Sequence, residues 1–139
     1  EFLHSMPASG IGEQVALAAL DKVGCQYSQD LRYEEGYYDC SSLVQRLYQE
    51  VGISLPAIAS TQGEFMVTHG LEVTEGELEP GDLIFYSYEQ NGQFRNISHV
   101  AIYVGNGRMV HAANSRRGVV NDPFNPSNIG LYGRPSRLQ

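Results

Sequence analysis

The chain contains three side chains suited to nucleophilic catalysis: one cysteine, Cys40, and two histidines, His99 and His111. Cys40 lies in Asp39-Cys40-Ser41, at the start of an apolar pattern with helical spacing. A cysteine in the first turn of a helix faces the positive end of the helix dipole, which favours its thiolate. Thiolates attack carbonyl carbons, and a nearby imidazole usually completes the pair. The tripeptide therefore indicates a cysteine hydrolase or acyl transferase with Cys40 as nucleophile.

Asp39 is a natural N-cap for the helix that Cys40 begins. Capping at this position leaves the backbone N–H groups of Cys40 and Ser41 at the open end of the helix. Such groups can donate hydrogen bonds to an oxyanion. Cys40 is thus expected to supply both the nucleophile and part of its own oxyanion hole.

His99 opens a strand-like segment that runs from residue 97 to residue 104. Alternation along a strand places His99 on the face shared by Ala101 and Tyr103, opposite Val100 and Ile102. A histidine that opens a sheet packed on the cysteine's helix is well placed to act as a general base.

The face occupied by His111 depends on the length of the turn before it. A three-residue loop at Gly105-Asn106-Gly107 would set Ala101 opposite His111, and the two imidazoles would share a face. A two-residue loop would put His111 on the other face. In the first register, His111 could orient the imidazole of His99, as a carboxylate or amide does in other triads.

Helical spacing and its end signals predict three helices before the strands. The first is capped by Ser9 and runs to about Val23, the second begins at Asp39 or Cys40 and ends before Gly52, and the third spans 60–69. Residues 25–38 are interpreted as a loop rich in aromatic side chains, and 72–80 as a polar connector. Strands are predicted at 82–88, 97–104, 108–112, 119–121 and 131–134, with a hairpin turn at Asn106-Gly107. Helices followed by an antiparallel sheet of about five strands indicate an α+β domain.

Composition limits the kinds of function open to the chain. Its 139 residues, 42% hydrophobic and 18% charged, are enough for one domain with a core. The net charge of −7 disfavours nucleic acid as a partner, since phosphate binding needs a basic patch. No stretch approaches the roughly 20 apolar residues that a membrane helix needs, so membrane insertion is not expected.

Two cysteines, Cys25 and Cys40, are too few for a disulfide scaffold, and Cys25 is interpreted as a half-buried small side chain. Residues 1–8 are interpreted as a processed or cloning-derived end, and residues 9–139 as a single domain cut from a longer protein. Arg116-Arg117 is interpreted as a solvated turn. Tyr86 and Tyr88, which share one strand face, are interpreted as packing residues.

Six motifs in order resemble the NlpC family of bacterial cell-wall cysteine peptidases, over about residues 12–120. They are Tyr27, Asp39-Cys40-Ser41-Ser42-Leu43-Val44, Leu55-Pro56, Gly81-Asp82-Leu83-Ile84-Phe85, the segment from His99 to Gly107, and His111-Ala112.

This resemblance implies a papain-like fold and hydrolysis of peptidoglycan stem peptides, typically between D-glutamate and diaminopimelate or lysine. It implies Cys40 as nucleophile, His99 as base, His111 as the orienting third member and Tyr27 as a hydroxyl that reaches the site. It also implies that Asp39 and Ser41 border the substrate cleft, with Gln62 as a further substrate-binding residue. An extracytoplasmic location follows from the resemblance alone.

The chain departs from the family pattern around the site. Ser42 replaces the usual glycine after Asp-Cys-Ser, Ala57 replaces the usual arginine after Leu-Pro, and Ala101 replaces a glycine after His-Val. These positions lie outside the proposed triad, where substrate preference is set.

Three other functions fit parts of the pattern. The first is an amidase of the CHAP type, or an acyl transferase, on a similar fold. The second is a zinc module that uses Cys40, His99 and His111, although the paired ligand spacings of compact zinc sites are missing. The third is a wall-binding module without activity. The favoured prediction is a monomeric peptidase domain that acts on peptidoglycan and needs no metal or cofactor.

Overall fold

The computed structural model describes residues 10–138, which form three α-helices and eight β-strands. The helices are α1 (Gly10–Asp21), α2 (Cys40–Glu50) and α3 (Ala59–Thr68). The strands are β1 (Gln26–Tyr27), β2 (Tyr37–Tyr38), β3 (Glu72–Val73), β4 (Leu83–Tyr86), β5 (His99–Gly105), β6 (Arg108–Asn114), β7 (Gly118–Pro123) and β8 (Ile129–Gly133).

Six of these strands form one antiparallel sheet, in the order β3-β8-β4-β5-β6-β7. The two remaining strands, β1 and β2, pair with each other in parallel, with Tyr27 opposite Tyr38. Because β2 ends one residue before Asp39, this short pairing brings Tyr27 to the start of α2.

The helices cover one face of the sheet, and the main hydrophobic core lies between them. From α2, Leu43 and Val44 are fully buried in this core, where they join Val100 and Ile102 of β5. The opposite face carries a smaller cluster that includes Ala101. The period of two along β5 thus separates the two layers, as the alternation in the sequence predicts.

The start of α2 is fixed by a reciprocal cap. Oδ1 of Asp39 accepts a hydrogen bond from the backbone N–H of Ser42 at 2.8 Å, and Oγ of Ser42 accepts one from the N–H of Asp39 at 2.9 Å. Ser42, which stands where the family pattern has glycine, is fully buried and completes this capping box. The cap engages the third N–H of the helix rather than those of Cys40 and Ser41.

The α+β architecture predicted from the sequence is confirmed. The predicted helices match α1, α2 and α3 within two residues at the ends that can be compared, whereas Ser9, the expected first cap, and residues 1–8 lie outside the described residues.

Two details of the predicted fold were wrong. The connector at 72–80 contains β3, so the sheet has six strands within the described part rather than about five. The loop at 25–38 contains β1 and β2. Two-residue strands are too short to show alternation, and for this reason the sequence pattern could not indicate them.

The strands of the β5–β6 hairpin pair in the register that the three-residue loop predicted, although only Asn106 and Gly107 separate the last two paired residues. Gly105 pairs with Arg108 across Asn106-Gly107, and the register then shifts by one residue, so that Tyr103 pairs with Met109. The shift is a β-bulge at Val104. Extending the register two residues past Tyr103 sets Ala101 opposite His111, and the two histidines share a face.

Ser42→Ala removes one half of the capping box, and we expect it to lower the free energy of unfolding by about 1 kcal/mol. For a domain of this size, the melting temperature should fall by about 2–4 °C. Thermal unfolding followed by circular dichroism measures the change. Ser127→Ala, at an exposed position, is the matched control; an equal shift in both variants would contradict the role of Ser42.

Candidate active site

Cys40 and His99 line one cleft of about 480 Å³ between the start of α2 and the adjoining end of the sheet. Cys40 is the first residue of α2, and His99 is the first residue of β5. The hydrophobic contact between α2 and β5 sets their relative position. The structure therefore brings together the cysteine and the first histidine that the sequence singled out.

The sulfur of Cys40 lies in a buried setting next to two backbone N–H groups. Burial raises the pKa of the Cys40 thiol to about 11, the nearby carboxylate of Asp39 adds to the rise, and the N–H groups of Val100 and Ser41 oppose it. Desolvation outweighs the donors at the helix start. The helix start therefore acts on the thiol in the expected direction, but burial has the larger effect.

His99 and His111 meet edge to face across β5 and β6. Nε2 of His99 lies 2.7 Å from Nδ1 of His111, with the ring centroids 4.9 Å apart. Burial, together with the neighbouring His111, lowers the pKa of His99 to about 3. Both shifts thus favour an uncharged thiol and an uncharged imidazole in the resting pair.

A carboxylate and a guanidinium that the sequence analysis did not identify extend this pair. Nε2 of His111 lies 2.9 Å from Oδ2 of Asp122 on β7. Arg117 donates to both oxygens of Asp122, at 2.9 and 2.7 Å. Arg116 and Arg117 lie exposed in a turn, as the sequence analysis predicted, but the contact of Arg117 with Asp122 was not foreseen. The signal that could have indicated Asp122 is its position two residues after Val120. Residues two apart on a strand share a face, so Asp122 lies on the same face of β7 as Val120.

Tyr27 lines the cleft from β1, on the side of Cys40. Burial raises the pKa of its hydroxyl, and the proximity of Cys40 and Asp39 raises it further. The hydroxyl is consequently a hydrogen-bond donor over the pH range of most enzymes, which suits a role next to a developing negative charge.

Asp39 and Ser41 also line the cleft, and both are held by Arg32. Nε of Arg32 forms an ion pair with Oδ2 of Asp39 at 2.8 Å. Nη2 of the same guanidinium donates to Oγ of Ser41 at 2.9 Å and to the carbonyl of Ala57. Arg32 belongs to the segment that the sequence presented as an aromatic loop. Its role could not be read from spacing because side chains in an irregular loop follow no regular period.

Gln62 does not reach the cleft. It is fully buried on α3, where its amide donates to the carbonyls of Ser41 and Pro56 at 3.0 and 2.9 Å. The prediction that Gln62 binds substrate was wrong, because the side chain supports the backbone behind Ser41 instead.

Tyr86, the last residue of β4, and Tyr88, two residues beyond the strand, play different parts. Tyr86 is fully buried, and its hydroxyl donates to the carbonyl of Asn125 at 2.8 Å. Tyr88, by contrast, is 52% exposed and lines the cleft beside His99, with the ring centroids 6.4 Å apart. The packing interpretation therefore fits Tyr86, whereas Tyr88 both packs on Tyr86, with the ring centroids 5.6 Å apart, and lines the cleft. Asn91 and Gln93, from the loop before β5, also line the cleft.

The geometry gives the zinc alternative no support. Both ring nitrogens of His111 already face partners, His99 on one side and Asp122 on the other. Within residues 10–138, no group of three or more histidine, cysteine or carboxylate side chains is arranged to hold a metal ion. In the same residues, no helix combines the length and apolar character needed to cross a bilayer.

Two proteins with similar sequences are peptidases of Bacillus species. The bifunctional muramidase/DL-endopeptidase CwlT of Bacillus subtilis is 38% identical over 105 residues, which cover 74% of this chain and 30% of that protein. The gamma-D-glutamyl-L-lysine dipeptidyl-peptidase of Bacillus cereus is 33% identical over 101 residues, 72% of this chain and 28% of the relative. The chain thus spans less than a third of the length of these two relatives.

The fold is also similar to solved structures. The peptidoglycan hydrolase RipB of Mycobacterium tuberculosis superimposes with a TM-score of 0.73 and 26% sequence identity, over 96% of this chain and 70% of that one. The profile of the NlpC/P60 family matches residues 24–129, a range that contains the cleft, both histidines and Asp122. On these grounds, the chain belongs to the NlpC/P60 family.

Proposed function

We propose that this domain is a cysteine endopeptidase that hydrolyses peptidoglycan stem peptides at the bond between γ-D-glutamate and the diamino acid. The observation that carries the proposal is the cleft, where Cys40 at a helix start faces a histidine backed by a second histidine. The names of the two Bacillus relatives, a γ-D-glutamyl-L-lysine peptidase and a DL-endopeptidase, support this choice of bond.

The reaction begins from the uncharged pair. Nδ1 of His99, the ring nitrogen that does not face His111, takes the proton of the Cys40 thiol as the sulfur attacks the scissile carbonyl carbon. The carbonyl oxygen becomes an oxyanion, to which the N–H of Cys40 and the hydroxyl of Tyr27 donate. One such donor is typically worth about 3 kcal/mol of barrier.

Collapse of the tetrahedral intermediate breaks the bond to nitrogen. The imidazolium of His99 gives its proton to the leaving amine, and a thioester remains on Cys40. His99 then removes a proton from water, which attacks the thioester and releases the carboxylic acid. The final proton transfer returns the thiol to Cys40, and the enzyme is ready for another turnover.

The setting of the domain is part of the proposal. Its partner is the peptidoglycan stem peptide, and its place of action is outside the cytoplasm, in the cell wall or periplasm. Residues 9–139 form one catalytic domain of a longer protein and work as a monomer without a metal or cofactor. The acidic net charge of −7 argues against nucleic acid as a partner.

Cys40→Ala should abolish hydrolysis, with a loss of more than about 1,000-fold, because no other group in the cleft can form the thioester. Digestion of defined stem peptides, analysed by mass spectrometry, measures both the rate and the bond. Cys25→Ala is the matched control and should keep full activity. Turnover by Cys40→Ala would contradict the mechanism, and cleavage at the sugar–peptide amide would favour an amidase instead.

His99→Ala should lower kcat by about 100- to 10,000-fold, the usual contribution of a general base. His111→Asn should cost less, since an amide can still accept a hydrogen bond from Nε2 of His99. Steady-state kinetics on one stem peptide compares the two variants. Equal losses, or a larger loss for His111→Asn, would mean that the roles of the two histidines are reversed.

The acid limb of kcat/KM should lie below pH 5 rather than near the ordinary histidine value of about 6.5. His99 accepts a proton only when neutral, and its pKa of about 3 keeps it neutral at lower pH than a free imidazole. The profile of kcat/KM reports the free enzyme. An inflection near pH 6.5 that disappears in His99→Ala would contradict this expectation.

Unfolding has to be separated from titration in that experiment. In the unfolded chain His99 binds a proton near pH 6.5, whereas in the native state it stays neutral until about pH 3. The unfolded state therefore binds more protons between these values, and the native fold loses stability as the pH falls through this window. Circular dichroism at each pH shows where the enzyme is still folded.

A further inference from the structure

The row of side chains behind the cleft continues past the two histidines. His99 contacts His111, His111 contacts Asp122, and Asp122 is held by both terminal nitrogens of Arg117. The four side chains come from β5, β6, β7 and the turn before β7. We refer to them as the His–His–Asp–Arg row.

Strand register explains why Asp122 lies beside His111. His111 pairs directly with Val120 on β7, and Asp122 is two residues further along the same strand. Residues two apart share a face, so Asp122 is the diagonal neighbour of His111. The contact is therefore built into the sheet rather than made by a mobile loop.

The position of each proton follows from the chemistry of the carboxylate. An ionised carboxylate only accepts hydrogen bonds, so whenever the ring of His111 carries a single proton, that proton is on Nε2, which faces Asp122. Nδ1 of His111 is then an acceptor. Nε2 of His99, 2.7 Å away, then donates to it, and Nδ1 of His99 keeps an unshared lone pair.

Arg117 fixes Asp122 in both position and charge. Its two-pronged contact is the planar geometry in which a guanidinium and a carboxylate bind best. The hydrogen bonds from Arg117, with a further one from His111, lower the pKa of Asp122 to about 2. Only one fifth of the Asp122 side chain is exposed, against 42% for Arg117. The Asp122 carboxylate therefore stays ionised next to the sheet, and Arg117 forms the solvent-exposed end of the row.

We propose that Asp122 is a positioning residue of this site, which acts through His111 to keep His99 in the tautomer whose Nδ1 accepts the thiol proton, with Arg117 holding Asp122 in place. The proposal rests on the proposed peptidase function for its kinetic consequences. The tautomer that it assigns to His99 is a property of the folded protein and can be measured without a substrate.

The decisive variant is Asp122→Asn, which keeps the shape but allows an amide N–H to face His111. We expect kcat on a stem peptide to fall at least about tenfold with KM unchanged, less than the ~10⁴-fold loss when a carboxylate that contacts the base directly is replaced. Nitrogen-15 spectra of the imidazoles should show a changed tautomer population at His99. Arg117→Gln should shift both readouts in the same direction by a smaller amount.

Two controls separate positioning from stability. Glu79→Gln removes the exposed carboxylate of Glu79, which lies near another arginine, Arg134. This variant should leave kcat and the spectra unchanged. Asp122→Glu keeps the acceptor and should restore the wild-type tautomer at His99. If Asp122→Asn only lowers the melting temperature, with kcat and the nitrogen-15 signals at wild-type values, the proposal is overturned.

Failure of the peptidase function can be recognised separately. The rate at which iodoacetamide alkylates Cys40, followed by peptide mass spectrometry, depends on His99 as base and needs no stem peptide. A slower rate in Asp122→Asn, together with the changed tautomer, supports the positioning role even if the wild type hydrolyses none of the stem peptides. An unchanged alkylation rate with an unchanged tautomer rejects the role whether or not the wild type is a peptidase.

Discussion

The two oxygens of the Asp39 carboxylate fix the start of α2, and the position of Cys40 in the site depends on it. One oxygen caps the backbone of Ser42, and the other forms an ion pair with Arg32. Gln62 holds the carbonyl of Ser41 from α3. Helix starts fray when their N–H groups lack partners, whereas this one is held from its own cap, from a loop and from a second helix. Cys40 therefore occupies one position in the cleft. A nucleophile needs such a fixed position if it is to keep the right geometry relative to a fixed imidazole.

The imidazole is fixed by the sheet rather than by the helices. His99 is the first residue of β5, so its ring lies at the end of the sheet, where the N–H of Val100 also approaches the sulfur of Cys40. The ring belongs to the face away from the helices, and this face is where β6 and β7 can supply further side chains. Alternation then places His111 and Asp122 on the same face without any loop having to fold over the site.

The features that the sequence predicted depend on interactions between residues close together in the chain, and the features that it missed depend on interactions between distant residues. Capping at Asp39, the helix of Cys40 and the face of His99 depend on residues within a few positions, and periodicity indicates them. The register that joins His99 to His111 was left open because it depends on a bulge at Val104, which no spacing reveals. Arg32 could not be placed either, since it lies in an irregular loop and joins partners as unequally spaced as Ser41, 9 residues away, and Ala57, 25 residues away. Long-range pairing of single polar side chains leaves no periodic trace in a sequence.

Burial sets the electrostatic problem that this arrangement solves. It favours the uncharged thiol of Cys40 and the uncharged ring of His99, with pKa values of about 11 and about 3, so that the proposed reaction has to create charge in a buried setting. The same low polarity strengthens fixed donors aimed at that charge. The carboxylates nearest the pair, Asp39 and Asp122, each have an arginine at ion-pair distance. Because each carboxylate is paired with a cation, both can orient their neighbours while adding little net repulsion to the oxyanion of the proposed reaction.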